Sequence, residues 1–146
     1  MKSLFDKILL ATDGSQSSLK AARVAVEMAR AYNAELIVVH VVDDAILEEV
    51  ARGFGKTAEE AGRALEENGR KYMQEVERMA KEQWVKTDLE MPHGTPHEAL
   101  LKVADEKKAG LIVMGKIGRR GPRRVLMGSV TERVVDLADV PVLVVK

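Results

Sequence analysis

The chain has 146 residues, no cysteine, and 23 basic side chains against 23 acidic ones, so its formal net charge at pH 7 is zero. This composition excludes disulfides, thiolate metal sites and cysteine nucleophiles, and leaves no overall charge to attract nucleic acid or a membrane surface. The length suits one domain, residues 1–146, and no apolar run reaches the ~18 residues of a membrane span. We therefore expect a cytoplasmic protein in which any anion site is local.

The first segment predicts a strand, a turn and a helix. Residues 7–12, "KILLAT", form a short apolar run of the buried type, and residues 13–15 follow as a turn. Apolar residues then recur every three to four positions over residues 19–29, which is the spacing of one helix face, and Asn33 is placed to end that helix. Because the N-terminal stretch lacks a small-residue cleavage site, it is predicted to be the first strand and not a signal peptide.

The second and third predicted strands differ in polarity. Residues 35–42, "ELIVVHVV", are apolar and β-branched, as in a buried strand, whereas residues 85–91, "VKTDLEM", alternate as in a strand with one wet face. Residues 43–56 contain two glycines and are predicted to be a loop. Residues 57–84 are predicted to form a long charged helix, which the Asn-Gly pair at 68–69 would kink.

The last third of the chain predicts two more strands and two helices. Residues 95–98, "TPHE", have the pattern of a helix start, with threonine as N-cap, proline at the first helical position and glutamate closing a capping box. That helix is predicted to run to about residue 108. Residues 110–115 and 141–145 are predicted to be the fourth and fifth strands, with a helix over residues 129–138 between them.

Strands that alternate with helices predict a parallel sheet with helices on both faces. Two five-strand orders compete: 2-1-3-4-5 puts the second strand at an edge, and 3-2-1-4-5 puts the third strand there. Edge strands are the wetter ones, and here the third strand alternates while the second is apolar, so we predict 3-2-1-4-5. Ligands then bind beyond the carboxyl ends of strands 1 and 4, where the order reverses.

A glycine-rich, cationic stretch follows the fourth strand. Residues 114–129, "MGKIGRRGPRRVLMGS", contain four glycines and five cationic side chains and no acidic one. Glycines let backbone N–H groups approach an anion closely, and the N-terminus of the next helix adds donors without partners. Ser129 and Thr131 add hydroxyl groups. Together these groups predict a polyphosphate site, with Asp13 across the crevice at the end of the first strand.

These motifs resemble the universal stress protein family. The spacing Gly115-x2-Gly118-x9-Gly128-Ser129 is similar to the nucleotide motif of that family's ATP-binding branch. The segments "KILLATDGSQSS", "AGLIVMG" and "MGSVTERVVDLADVPVLVVK" resemble the family as well, so that the similarity covers residues 7–146. The resemblance implies a homodimeric α/β fold, Rossmann-like and of the adenine nucleotide alpha hydrolase type, that binds ATP with Mg²⁺.

The resemblance also implies which residues bind the nucleotide. Asp13 would contact the ribose, and Val41 would offer backbone groups to the adenine edge. Lys116 stands where many members have serine, and we expect Lys116 and Arg119 to face the phosphates. The full predicted set is Ala11, Thr12, Asp13, Val41, Met114, Gly115, Lys116, Gly118, Arg119, Gly128, Ser129, Val130 and Thr131.

Other candidate sites are weaker. Residues 53–57, "GFGKT", fail as a P-loop because Val50 stands where the first glycine is required. His93 and His97 lack the acidic partners of a catalytic or tetrahedral metal set, and His40 is expected to be a hydrogen-bonded core residue. With only five aromatic residues in the chain, stacking on single-stranded nucleic acid is not expected.

The expected function is a nucleotide-dependent signalling or stress-adaptation module in which ATP orders residues 116–127 and alters the surface offered to an unidentified partner. Two alternatives stay open: a slow or partner-dependent ATPase, since Asp13 is the carboxylate expected at the site, and an interaction module that needs no nucleotide. The apolar last strand, Val140 to Val145, is expected at a sheet edge. Because an exposed apolar edge invites pairing, a homodimer through this strand is predicted.

Overall fold

The computed structural model describes residues 4–55, 57–116 and 127–146. In chain order the elements are β1 (Lys7–Ala11), α1 (Gln16–Tyr32), β2 (Glu35–Val39), β3 (Val42–Asp43), α2 (Asp44–Gly53), α3 (Ala58–Glu82), β4 (Thr87–Glu90), β5 (His93–Gly94), α4 (Pro96–Lys107), β6 (Leu111–Gly115), α5 (Ser129–Leu137) and β7 (Val142–Val145). Five strands form a parallel sheet in the order β4-β2-β1-β6-β7, and β3 pairs with β5. Counted without these two short strands, this is the predicted order 3-2-1-4-5, which is confirmed.

Helices cover both faces of the sheet. On one face, Ile8 and Leu10 of β1 belong to a buried cluster with residues of α1 and α3. On the other face, Leu9 and Ala11 belong to a second cluster with residues of α4 and α5. A strand buried on both faces has no water-facing side chains, which is why β1 and β2 are apolar after their first residues.

The strand β4 lies at an edge, as its alternating sequence predicted. Asp88 and Glu90 both bind the ammonium group of Lys107 on α4, each at 3.0 Å. These hydrogen bonds, that of Asp88 foremost, raise the pKa of Lys107 above its usual value. The apolar side of the strand is also partly accessible to solvent, because Leu89 is 37% exposed. Both faces of β4 are therefore partly exposed, whereas the sequence predicted one exposed face.

The prediction of a loop over residues 43–56 was wrong. Residues 44–53 form α2, whose N-cap Asp43 accepts a hydrogen bond from the amide of Ala45 at 2.9 Å. The helix lies against α3, and none of its residues is buried. Ile46, Leu47 and Val50 have helical spacing, but they are only partly buried, and the two glycines at the end of the helix dominated the interpretation.

The helix α3 is continuous through the Asn-Gly pair at which a kink was predicted. Gly69 serves close packing there, because the ring of His40 fills the space where a side chain would begin. Thr95 is the N-cap of α4 and Pro96 opens the helix, but the Thr95 side chain makes no capping hydrogen bond, so the predicted box with Glu98 was wrong. Among the described helices, none combines the length and apolarity needed to cross a bilayer.

Candidate functional site

The turn after β1 is held by its own side chains. Asp13 Oδ1 accepts a hydrogen bond from the amide of Ser15 at 2.9 Å, and Ser15 Oγ in turn caps α1 by accepting from the amide of Ser18 at 3.1 Å. The buried hydroxyls of Thr12 and Ser18 lie 3.2 Å apart. Gly14 completes the turn with φ +82°, a value that a residue with a side chain rarely adopts. This network fixes Asp13 at the carboxyl end of the central strand.

The chain after β2 presents an open backbone edge beside this turn. The amides of His40 and Val42 donate to carbonyls on the β4 side, at 3.0 and 2.8 Å. Backbone groups of successive residues in an extended strand point to opposite sides, so the N–H and C=O of Val41 point toward β1. The last backbone hydrogen bond between the β1 and β2 segments runs from the amide of Thr12 to the carbonyl of Val39, at 2.9 Å. Val41 therefore offers one donor and one acceptor beyond the end of β1.

The tip of α5 is fastened to the end of β6. Thr131, which is 3% exposed, donates its hydroxyl to the carbonyl of Gly115 at 2.8 Å. The amide of Gly128 donates to the carbonyl of Lys116 at 2.8 Å, and the amide of Lys116 donates to that of Val145 at 2.9 Å. Gly128 is the N-cap and has no side chain to cover the helix tip. The first amides of α5, which by geometry lack an intrahelical acceptor, are thus held beside the strand end.

These parts surround one cavity of about 710 Å³, a volume in the range of small-molecule sites. Ten of the predicted nucleotide-binding residues line it: Ala11, Thr12, Asp13, Val41, Met114, Gly115, Gly128, Ser129, Val130 and Thr131. Lys116 is adjacent through its backbone bonds, but it is not among the residues that line the cavity. Gly118 and Arg119 lie outside the described residues, as does most of the segment 116–127. The nucleotide role of all these residues stays a prediction.

The sequence interpretation missed the helical walls of the cavity. The helix α3 contributes Leu65, Asn68, Gly69 and Tyr72, and α2, α4 and α5 add Ile46, His97, Leu100 and Arg133. The ring of Tyr72 occupies the space where a side chain at Gly14 would begin, so it packs on the turn that carries Asp13. Leu65 and Tyr72 are seven residues apart on one helix face, which predicted only burial. No local signal separates a helix face that packs on the core from one that lines a cavity.

The three histidines occupy different environments. His40 Nδ1 lies 3.0 Å from the carbonyl oxygen of Thr12, which confirms the expected hydrogen bond, although the half-buried ring also lines the cavity. His93 pairs with Glu66 at 2.6 Å and is not among the lining residues. His97 is 9% exposed and lines the cavity. The described residues of the rejected P-loop candidate, 53–55 and 57, do not line it.

The geometry, a cavity at the reversal point of a 3-2-1-4-5 sheet, agrees with comparisons to known proteins. The family model described as Universal stress protein family matches residues 4–146. The chain belongs to this family. Universal stress protein MJ0531 of Methanocaldococcus jannaschii is 41% identical, with 99% of this chain and 84% of that relative covered.

Solved structures of other universal stress proteins have the same fold. The universal stress protein UspA from Lactobacillus plantarum superposes with a TM-score of 0.85 and 27% identity, over 97% of this chain and 98% of that one. A universal stress protein solved in complex with cAMP gives a TM-score of 0.63 and 28% identity, covering 98% of each chain. The family and the sheet order expected from the sequence are thereby both confirmed.

Proposed function

We propose that this universal stress protein binds ATP together with Mg²⁺ and acts as a nucleotide-dependent module in signalling or stress adaptation. The observation that carries the proposal is the cavity at the ends of β1 and β6, which ten of the thirteen predicted residues line. Such reversal points are the ligand sites of open α/β sheets. The cytoplasmic location and the unidentified protein partner stay predictions.

The free backbone N–H and C=O of Val41 support adenine as the base. An N–H and a C=O of one residue on an open strand edge complement an acceptor and a donor side by side, which adenine presents at N1 and its 6-amino group. Ala11 and Met114, both of them buried apolar residues, line the same cavity and suit the faces of a flat ring. The family member solved with cAMP supports an adenine nucleotide in this fold.

The tip of α5 supports a phosphate chain at the other end of the cavity. Amides at a helix N-terminus attract an anion, by about 0.3–1 kcal/mol when the anion is exposed. Ser129 adds a hydroxyl group, and Arg133 is a cation among the lining residues. We propose that Lys116 and Arg119 contact the phosphates and that Mg²⁺ is held through the phosphates. Unchanged ATP affinity in both Lys116→Ala and Arg119→Ala contradicts the part assigned to these two side chains.

The direct test is to identify what the purified protein carries. The protein is denatured, released nucleotides are separated by chromatography, and emptied protein is titrated with ATP and Mg²⁺ by calorimetry. We expect released adenine nucleotide and saturable binding at one site per chain. Protein that releases none and does not bind millimolar ATP contradicts the proposal and favours an interaction module without nucleotide. A time course with ATP and Mg²⁺ then separates a carrier from a slow ATPase.

We also propose a homodimer through β7. The strand lies at a sheet edge, its Leu143 is 36% exposed, and Val135 and Leu137 of α5 are 42% and 59% exposed. Analytical ultracentrifugation should show a dimer at micromolar concentration for the wild type and a monomer for Leu143→Lys. The matched control is Leu89→Lys, since Leu89 is equally exposed on the other edge strand. A wild-type monomer, or loss of the dimer in Leu89→Lys, contradicts this interface.

A further inference from the structure

His97 is a polar side chain in an apolar part of the cavity wall. It lies one helical turn before Leu100 on the same face of α4, and Leu100 packs in the cluster that contains Leu9, Ala11 and Val39. His97 is 9% exposed, and the cavity is the space that it borders. Burying an imidazole among such neighbours is unfavourable unless its nitrogens find partners.

The ring nitrogens of His97 have no partner within the described part of the chain. Over residues 4–55, 57–116 and 127–146, its ring forms no hydrogen bond, whereas His40 contacts the carbonyl of Thr12 and His93 contacts Glu66. Among the described residues that are not exposed, however, no side-chain nitrogen or oxygen atom is both inaccessible to solvent and without a hydrogen-bond partner. The polar edge of His97 therefore opens onto the cavity, where a bound molecule can reach it.

We propose that His97 hydrogen-bonds the nucleobase at the N7 side of the purine and so contributes to base selectivity. This inference rests on the proposed function. With the Val41 backbone at N1 and one hydrogen of the 6-amino group, N7 and the other amino hydrogen remain for a second element of the wall. A neutral imidazole carries one N–H donor, which can pair with the N7 acceptor; its two ring nitrogens point in divergent directions, so one nitrogen at a time can face this edge of the base. Val41, between β2 and β3, and His97 on α4 both line the cavity, and Val41 packs against the same apolar cluster as Leu100.

The experiment removes one partner from the protein and one from the ligand. Dissociation constants are measured for wild type, His97→Leu and His97→Gln with three probes: ATP, 7-deaza-ATP, which lacks N7, and purine riboside triphosphate, which lacks the 6-amino group. His93→Leu is the matched control, since His93 is bonded to Glu66 and does not line the cavity. Thermal denaturation shows that each variant is folded, and His97→Gln keeps a donor and an acceptor in case leucine disturbs α4.

For wild type we expect 7-deaza-ATP to bind about tenfold more weakly than ATP, the effect of one hydrogen bond. His97→Leu should bind ATP about tenfold more weakly than wild type does and should no longer distinguish it from 7-deaza-ATP. His97→Gln should retain part of the difference, and His93→Leu all of it. Removal of the 6-amino group should weaken binding in every variant, because each variant keeps the backbone carbonyl of Val41 that accepts from this group.

A purely structural role for His97 predicts a different pattern. If His97→Leu weakens all three probes by one common factor, or if wild type binds 7-deaza-ATP as tightly as ATP, the assignment of His97 to the base is overturned while nucleotide binding stands. If wild type binds none of the probes, the proposed function itself fails. The two failures are thus distinguishable within one set of titrations.

Discussion

The two ends of the sheet are built from the same alternating chain, yet their backbone groups are used differently. At the amino ends of the strands, α1, α3 and α4 lead into the sheet through Asn33, Trp84 and Lys108, with φ of 54°, 58° and 58°. In each turn the amide of this residue and the amide of the next residue donate back to carbonyls of the helix just ended. At the carboxyl ends, Val41 and the tip of α5 direct backbone groups into the cavity. At the amino end, which we call the closed end, backbone groups are satisfied within the chain, whereas at the carboxyl end they are available to a ligand.

The difference shows how one fold separates stability from binding. Helix ends have carbonyl groups without partners, and a left-handed turn residue satisfies them within the chain. Helix starts have amides without partners, and these can be satisfied by a side-chain cap, as Ser15 does for α1. The helix α5 starts with Gly128 and has no such cap. The start of α4 lacks a side-chain cap as well, but only α5 has a glycine as its N-cap among the described helices, and it is at α5 that the phosphates are proposed to bind.

Substituting Gly14 is expected to have the largest effect on the carboxyl end of the sheet, where the cavity lies. Valine at this position must adopt φ near +82° and collides with the ring of Tyr72, which displaces the turn that holds Asp13. We expect Gly14→Val to lose measurable ATP binding and to lower the free energy of unfolding by about 2–4 kcal/mol. Calorimetric titration and denaturant unfolding measure the two effects. Gly53→Ala, at a position with open space around it, should leave ATP binding intact. Wild-type affinity in Gly14→Val would refute the importance of this turn.

Removing the Thr131 hydroxyl tests how the tip of α5 is held. Valine has the same shape but leaves the carbonyl of Gly115 without the donor that now lies at 2.8 Å. We expect Thr131→Val to lower the free energy of unfolding by about 1–3 kcal/mol, and to weaken ATP binding severalfold as the tip moves. Thr131→Ser, which keeps the hydroxyl, should retain most of the affinity. Equal affinities for both variants would show that the tip is held by other contacts.

A substitution at the closed end should have the smallest effect and the opposite sign. Lys108 is exposed and adopts φ 58°, where glycine is free of strain. Lys108→Gly is expected to raise the free energy of unfolding by about 0.5–1 kcal/mol, with ATP affinity unchanged, as measured by denaturant unfolding and titration. Asn33→Gly should gain less, because asparagine tolerates this conformation. A change in ATP affinity in either variant would contradict the separation of the two ends.

The sequence predicted the sheet order because the second and third predicted strands differ in polarity according to their position in the sheet. The alternation of residues 85–91 indicated an edge, and the apolar runs of β1, β2 and β6 indicated burial on both faces. The helix α2 escaped prediction because its apolar spacing is short and the glycines at 53 and 55 indicated a loop. The cavity turns were predicted because glycine and aspartate follow directly after strands, where the site of an open α/β sheet lies.

The amino-acid sequence by itself determined the order of the five strands in the sheet and the residues at their ends, because these follow from local patterns of polarity and glycine. Only the tertiary structure decided which side chains form the cavity walls. The contact of Tyr72 with Gly14, and the presence of Val41 and His97 around one cavity, bring together segments that are remote in the chain. The same helix periodicity serves a packed core and a cavity wall, and the difference depends on whether a neighbouring element fills the space opposite.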